Sequence, residues 1–333
     1  MDDARWFLGL DGGATKTHCV LYDLLTDSLD TESGGPTNHE VLPGGMDGLP
    51  GAIGALASPL LKRAGITPAD VSASFGMGGV DTPMQHEIIS GIIASMGFSH
   101  FVLSNDAYLG VKAECGGFGV SAVNGSGYSV AGISPSGKML QIGGHNDMTG
   151  DMGGGSFLVP AAVRAAYTQL FKRGPSTKIT EHIYKWLDIS DRDSFCESVA
   201  VQILGDMAQS YHSISQFLYR SAAEGDTVAN DILTACGEDY ALSVRCVAED
   251  LELPPPVEVV LVGSQFTKCE STRTIDTMRA ALDRAGDFRL KCISTVPVAG
   301  ALFWAMELAG CPPTEEKRRE LRERLNFLGR GEG

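Results

Sequence analysis

The chain has 333 residues, of which 43% are hydrophobic, and 26 basic residues stand against 41 acidic ones, for a formal net charge of −15. This length exceeds the usual size of one domain, so we expect two domains with sizeable cores. The acidic balance argues against a nucleic-acid or anionic-membrane surface, so we expect neither partner.

The eight cysteines form no C-x-x-C pair and lack zinc-site spacing. They are typical of reduced, mostly buried thiols in a cytoplasmic protein. The N-terminus, Met-Asp-Asp-Ala-Arg, lacks a signal-peptide pattern, and no apolar run reaches membrane-spanning length. We therefore expect a cytoplasmic protein without a membrane anchor.

The first predicted strand, residues 6–11, ends in Asp11 and runs into the turn Gly12-Gly13, with a hydroxyl at Thr15. Small turn residues let backbone N–H groups approach a phosphate closely. Asp11 can hold Mg²⁺ through water, and Thr15 can donate its hydroxyl to a phosphate oxygen. The pattern predicts a phosphate-binding turn. The alternative is a hairpin in which Asp-Gly only makes the turn.

Further strands are predicted near 17–23 and 70–76, with a helix near 47–64 between them. The loop before that helix is rich in glycine and proline and contains Asn38. Such loops often carry ligand contacts, and the alternative is that turn chemistry alone explains the glycines and proline. A helix near 83–97 and a strand at 100–104 follow. Because helices alternate with strands, the sequence predicts the α/β class.

Asp106 is the second residue after the strand predicted at 100–104. Open α/β sheets place their ligand crevices at the ends of strands, and an aspartate there is suited to act as a general base. The alternative is that Asp106 caps the N-terminus of the helix that follows.

A second glycine-and-hydroxyl turn, Asn124-Gly125-Ser126-Gly127, lies between strand-like segments at 118–123 and 128–130. Taken alone it is also compatible with a plain hairpin. Two such turns in separate halves of the chain suggest two half-domains that each present a hairpin to one polyphosphate.

Asp151, like Asp106, is a candidate functional carboxylate that precedes a predicted helix. The alternative is that it only caps the N-terminus of that helix. A further alternative is that His145, Asp147 and Asp151 hold a metal ion, although nothing in the sequence fixes their geometry.

From about 157 to 251 the chain is predicted to be mostly helical, with Pro160 near the start of the first helix. A strand at 257–262 then runs into the turn Gly263-Ser264. The helix near 297–310 is rich in small residues, which permits close packing. The charged helix at 314–324 is predicted to present a solvated face.

Taken in order, these segments resemble the BadF-type ATPase family, and within it the N-acetylglucosamine kinases of the sugar kinase, heat-shock protein and actin superfamily. The resemblance covers roughly residues 6–309. The motifs that carry it are Leu10-Asp11-Gly12-Gly13-Ala14-Thr15-Lys16-Thr17, Pro36-Thr37-Asn38-His39, Gly76-Met77-Gly78-Gly79-Val80-Asp81, Asn105-Asp106-Ala107, Asn124-Gly125-Ser126-Gly127, Gly150-Asp151-Met152-Gly153 and Val262-Gly263-Ser264.

The resemblance implies a two-lobed, actin-like (ribonuclease H-like) α/β fold with a nucleotide cleft between the lobes. The lobes would be residues 1–115 and 116–310, the second with a helical insertion, and 311–333 would form a charged helix and tail. The implied activity is ATP-dependent phosphorylation of the 6-hydroxyl of an amino sugar, N-acetylglucosamine or glucosamine. ATP and Mg²⁺ would be the cofactors, and the protein would be a homodimer.

The resemblance also implies roles for single residues. Asp106 would take the proton from the sugar hydroxyl as it attacks the γ-phosphate, and Asp11 would position Mg²⁺. ATP would lie against Asp11, Gly12, Gly13, Thr15, Lys16, Gly125, Ser126, Gly127, Gly263 and Ser264. The sugar would lie against Asn38, Asp106, Gly144, His145, Asn146 and Asp151.

Two residues depart from the family pattern. Met152 stands where a Gly-Asp-Glu-Gly motif usually has its Glu, and His145 stands where an aromatic residue is usual in the sugar loop. Both fall near the sugar site, so they affect the expected acetyl preference more than phosphoryl transfer.

Two other functions stay open. An ATPase that activates a dehydratase needs cluster cysteines, and the scattered cysteines supply no evident set. A sugar-binding regulator without catalysis is disfavoured because no helix-turn-helix segment precedes the first strand.

Overall fold

The computed structural model of the chain describes residues 5–145, 148–205 and 207–329. In chain order, the elements of the first part are β1 (Trp6–Gly12), β2 (Thr17–Asp23), β3 (Ser28–Gly34), α1 (Leu49–Ala64), β4 (Val71–Met77), α2 (Pro83–Ser95), β5 (His100–Ser104) and α3 (Tyr108–Glu114). Those that follow are β6 (Gly119–Asn124), β7 (Tyr128–Ile133), β8 (Met139–Gly143), α4 (Gly154–Leu170), α5 (Lys178–Leu187), α6 (Arg192–Ser198), α7 (Met207–Ala223), α8 (Thr227–Asp250), β9 (Val257–Val262), α9 (Ser264–Thr267), α10 (Arg273–Ala285), β10 (Phe288–Cys292), α11 (Val298–Leu308) and α12 (Glu315–Leu325).

The strands form two sheets of the same topology, in the orders β3-β2-β1-β4-β5 and β8-β7-β6-β9-β10. Each sheet has an antiparallel meander, β1-β2-β3 or β6-β7-β8, followed by two parallel strands. The first hairpin of each meander carries one of the two glycine turns. The predicted α/β class with two lobes is confirmed.

Strand β1 separates two cores because its side chains alternate between the faces of the sheet. Leu8 and Leu10 pack on one face with residues of α1 and α2. Phe7 packs on the other face with residues of α11 and α12. Helices therefore cover both faces of the first sheet.

Helix α11 approaches its neighbours closely, as its small residues predicted. A β-carbon at Gly9 of β1 would lie 2.6 Å from the backbone nitrogen of Leu302. A β-carbon at Gly300 would collide with the carbonyl oxygen of Leu109 in α3. Glycine at these two positions lets α11 pack against both β1 and α3.

One prediction about the helices was wrong in detail. The first helix of the helical region starts at Gly154, so Pro160 lies inside α4 rather than near its start. It starts early because the N–H groups of residues 154–156 find acceptors in the turn at 124–127. Helix α12 presents a solvated face as predicted, and its other face is buried at Arg318 and Leu321.

The cysteines are all free thiols, but the expectation that most are buried was wrong. Three are buried (Cys19, Cys115 and Cys236), Cys292 is exposed, and the rest are intermediate. Within the described ranges, no helix is long and apolar enough to span a membrane.

Candidate active site

The first glycine turn closes the β1-β2 hairpin. The N–H of Gly13 donates to the carbonyl oxygen of Lys16 at 3.0 Å, so it shapes the turn itself. Across the described residues, the N–H groups of Ala14 and Thr15 reach no acceptor. Because Thr15 is also exposed, this turn offers N–H and hydroxyl donors to a ligand at its tip.

The second glycine turn repeats this arrangement between β6 and β7. The N–H of Gly125 donates to the carbonyl oxygen of Gly127 at 3.2 Å. Helix α4 anchors the turn, since the N–H of Gly155 donates to the Gly125 carbonyl at 2.9 Å and that of Ser156 donates to the Ser126 carbonyl at 3.0 Å. The second turn is thus fixed against the start of a helix.

The two turns face each other. The hydroxyl oxygens of Thr15 and Ser126, 111 residues apart in the chain, lie 3.3 Å from each other. Burial lowers the pKa of Lys16, and the negative charge of Asp11 opposes this change. The positive charge of Lys268 also lowers the pKa of Lys16, so the two lysines lie near enough to interact. Hydroxyls from both turns, together with a lysine in the first turn and a second lysine near it, are suited to a polyphosphate.

Gly263 and Ser264 lie beside the second turn. Gly263 follows β9 with a φ of 102°, and a β-carbon there would collide with the carbonyl oxygen of Asn124. Ser264 begins the short helix α9, whose C-cap is Lys268. This junction is therefore built to approach the second turn closely.

Asp11 stands at the end of β1, half-buried before the first turn. Burial raises the pKa of its carboxyl to about 6, and the charge of Lys16 opposes this rise. Within the described parts of the chain, its carboxylate accepts no hydrogen bond. Mg²⁺ is commonly held by one or two carboxylates together with phosphates and water, so Asp11 fits that role.

Asp106 lies between β5 and α3. Burial raises the pKa of its carboxyl to about 7, and the charges of Asp11 and Asp81 raise it further. The capping alternative is not supported, since the N-cap of α3 is Ala107 and makes no side-chain cap. The neighbouring Asn105 instead accepts the N–H of Ala107 at 2.9 Å. A carboxyl with a pKa near neutrality is suited to proton transfer.

Asn38 is buried next to the first turn. Its N–H donates to the carbonyl oxygen of Gly13 at 3.3 Å, and its Oδ1 accepts the N–H of Glu40 at 2.8 Å. A β-carbon at Gly79 would lie 2.6 Å from the same Oδ1. The segments at 36–40 and 76–81 thus meet at the first turn.

Asp151 holds the loop that follows β8. Its Oδ2 accepts the N–H groups of Gly144 and His145, both at 3.0 Å, and its Oδ1 accepts the hydroxyl of Thr149 at 3.0 Å. Asp151 does not cap α4, whose N-cap is Gly153. It fixes the loop that presents the exposed His145.

The predicted sugar-site residue Asn146 lies outside the described residues, as does Asp147 of the alternative metal site. Over the ranges that the structure does describe, no group of three His, Cys, Asp or Glu side chains could hold a metal ion.

Sequence reasoning assigned no role to Asp81, Gln141 or Lys268. Asp81 follows β4 in the segment 76–81, and its Oδ1 accepts the side-chain amides of Gln141 at 2.7 Å and Asn105 at 2.9 Å. Its place in a glycine-rich segment after a strand was the available signal. No sequence pattern pointed to Lys268 or Gln141.

Two curated proteins are similar to this chain over most of its length. The N-acetylmuramic acid/N-acetylglucosamine kinase of Clostridium acetobutylicum is 25% identical over 255 residues, which cover 75% of this chain and 81% of that protein. The N-acetyl-D-glucosamine kinase of Dictyostelium discoideum is 25% identical over 268 residues, covering 77% and 83%.

Solved structures support the fold. A candidate N-acetylglucosamine kinase from Chromobacterium violaceum has a TM-score of 0.69 at 22% identity, covering 91% of this chain and 99% of that one. A ROK family glucokinase from Streptomyces griseus, solved with glucose and AMPPNP, has a TM-score of 0.51 at 16% identity, covering 91% and 98%. The sequence profile of the BadF/BadG/BcrA/BcrD ATPase family matches residues 8–305, and this chain therefore belongs to that family.

Proposed function

We propose that this chain is a sugar kinase that transfers the γ-phosphoryl group of ATP to the 6-hydroxyl of an amino sugar. The observation that carries the proposal is the meeting of the two glycine turns at Thr15 and Ser126. Asp106 lies near enough to Asp11, which precedes the first turn, for the charge of Asp11 to raise its pKa. The kinase names of the two curated relatives support the choice of a sugar as acceptor.

In this proposal the triphosphate lies between the turns. The N–H groups and hydroxyls at Thr15 and Ser126 donate to phosphate oxygens, and Lys16 adds positive charge. The backbone of Gly12, Gly13, Gly125 and Gly127 shapes the two turns, while Gly263 and Ser264 face the nucleoside. Mg²⁺, held by Asp11, would neutralise charge on the transferring phosphates.

Asp106 acts as the general base in this scheme. The sugar hydroxyl gives its proton to the Asp106 carboxylate while its oxygen bonds to the γ-phosphorus and the bond to the leaving ADP oxygen breaks. A pKa of about 7 lets the carboxylate be ionised above neutral pH and still bind a proton well. A carboxylate of this basicity is suited to accept the proton of the sugar hydroxyl during phosphoryl transfer.

The sugar would lie between Asn38 and the loop at Gly144 and His145. Asp151 already accepts hydrogen bonds from this loop, and a carboxylate has further lone pairs that can accept from sugar hydroxyls. Asn146 is included in this loop by sequence alone. Amide and carboxylate groups favour a polyhydroxy acceptor, because an unmatched buried polar group is costly.

The proposal also includes the lobe boundaries, the oligomeric state and the cellular location. The lobes would comprise residues 1–115 and 116–310, although α11 of the second packs on the sheet of the first, with 311–333 as a charged helix and tail. The protein forms a homodimer and binds neither nucleic acid nor membrane. It acts in the cytoplasm, where the eight free thiols would stay reduced.

The test is ATP turnover with glucosamine, N-acetylglucosamine, N-acetylmuramic acid and glucose at saturating MgATP. ADP release should require an amino sugar, and phosphorus NMR should place the new ester at the 6-position. Asp106→Asn is the inactive control. ADP release without a phosphorylated sugar, or no turnover with any sugar, would refute the kinase proposal.

A further inference from the structure

Asp81 connects the two sheets by one carboxylate oxygen. Asp81 follows β4 of the first sheet, whereas Gln141 lies on β8 of the second. The Nε2 of Gln141 donates to Asp81 Oδ1 at 2.7 Å, and the same Nε2 is 3.4 Å from the carbonyl oxygen of Gly143. An ionised carboxylate can only accept, so the amide nitrogen of Gln141 must face it. The contact joins the two lobes at the proposed sugar end of the cleft.

The same oxygen also fixes the turn that carries Asp106. Asn105 Nδ2 donates to Asp81 Oδ1 at 2.9 Å, while Asn105 Oδ1 accepts the N–H of Ala107 at 2.9 Å. Asn105 is buried, so each of its hydrogen bonds stabilises one orientation of its amide. Asp106 lies between these two anchored residues and its backbone position follows from them.

Asp81 also lies against the sugar loop. Gly144 has a φ of 97°, and a β-carbon there would be 2.6 Å from Asp81 Oδ1. The loop can pack this closely only because residue 144 is glycine. The carboxylate therefore touches the loop on one side and supports the Asp106 turn on the other.

We propose that Asp81 is a positioning residue that joins the lobes through Gln141 and orients the Asp106 turn through Asn105, so that both are in place when the acceptor binds. This inference rests on the proposed kinase function. It gives Asp81 a role in turnover rather than in nucleotide binding, because its contacts are with the Asp106 turn and the proposed sugar loop and not with either glycine turn at Thr15 and Ser126.

A charge effect accompanies the positioning. The negative charges that raise the pKa of Asp106, besides burial, are those of Asp11 and Asp81. Asp81 in turn faces Glu40, His145 and His39, and burial is the main cause of its own raised pKa. Neutralising Asp81 should therefore lower the pKa of Asp106 and move the acidic limb of activity to lower pH.

Two variants separate charge from hydrogen bonding. Asp81→Asn keeps Oδ1 as an acceptor for both amides and removes only the charge, so the acidic limb of kcat/KM should move down by roughly half a pH unit. Asp81→Ala removes both, and kcat should fall roughly 10- to 100-fold, with the Kd for MgATP changed by less than about threefold. Asp283→Asn, on the exposed face of α10, is the matched control and should leave the pH profile unchanged.

A double-mutant cycle tests the bond between the lobes. Gln141→Ala should lower kcat several-fold, and Asp81→Ala with Gln141→Ala should cost less than the two single losses combined, because the variants remove the same contact. Near-ultraviolet circular dichroism confirms that each variant is folded.

An unmoved acidic limb in Asp81→Asn, or additive losses in the cycle, would overturn the role of Asp81 while the parent remains an active kinase. If the parent phosphorylates no sugar, the proposed function is wrong and this inference falls with it.

Discussion

Replacing Asp106 with asparagine should raise stability while removing activity. Burial and nearby charge raise the pKa of Asp106 from its ordinary value of 3.8 to about 7. The folded protein therefore binds the proton more tightly than the unfolded chain, and stability falls as pH rises from 3.8 to 7. A shift of this size corresponds to about 4 kcal/mol, and about 2 kcal/mol after allowance for the water that still reaches a half-buried carboxylate.

Asparagine avoids this cost because it carries no charge. The free energy of unfolding of Asp106→Asn should exceed that of the parent by about 2 kcal/mol at pH 8, and by clearly less at pH 5. The kcat should fall at least roughly 100-fold, since the amide cannot accept the proton. Urea unfolding at both pH values and ADP release measure the two effects. Asp283→Asn should change stability by no more than about 0.5 kcal/mol.

The difference between the stability gains of Asp106→Asn at pH 5 and pH 8 tests whether the charged form of Asp106 is destabilising. An equal gain at pH 5 and pH 8, or no gain, would show that the folded protein does not penalise the charged form of Asp106. Turnover close to that of the parent would show that Asp106 is not the base.

Substitutions at Gly125, His145 and Glu307 test the second glycine turn, the sugar loop and a pair of salt bridges. Gly125→Val should weaken MgATP binding more than sugar binding, as measured by calorimetry. A β-carbon at residue 125 meets no protein atom within 4 Å, so the valine side chain would crowd a ligand rather than the protein. Equal loss of affinity for both ligands would point to general damage. His145→Trp should change the ranking of kcat/KM among glucosamine, N-acetylglucosamine and N-acetylmuramic acid, and an unchanged ranking would remove His145 from substrate selection. Glu307→Gln should lower the free energy of unfolding, measured in urea, by about 3 kcal/mol. The reason is that Lys112 at 2.7 Å and the buried Arg318 at 2.6 Å would lose their anionic partner. A loss below about 1 kcal/mol would show that the ion pairs contribute little to stability.

The sequence alone was enough to predict the candidate site residues that lie in or beside short turns. Asp11, Thr15 and Ser126 stand beside glycine turns between apolar strands, so turn chemistry indicated them before the structure did. Their opposition at 3.3 Å depends on how the two sheets pack, and the repeated motif only suggested it.

Asp81 shows what local reasoning could not reach. Its partners Asn105 and Gln141 are 24 and 60 residues away, so no spacing pattern links them. Strand β3 was also missed, because its sequence Ser-Leu-Asp-Thr-Glu-Ser-Gly lies at a sheet edge and has almost no apolar side chains. Edge strands need few buried residues and leave a weak hydrophobic pattern.

The packing of α11 on β1 has a consequence for synthesis of the chain. Phe7, near the beginning, is covered by Leu302 and Phe303, near the end. At a translation rate of roughly 5–20 residues per second, β1 leaves the ribosome about 15–60 s before α11 is made. During this interval an apolar strand face has no native cover, so a chain truncated before residue 298 should aggregate or be retained by chaperones. One face of β1 is therefore covered by a helix that is synthesised much later.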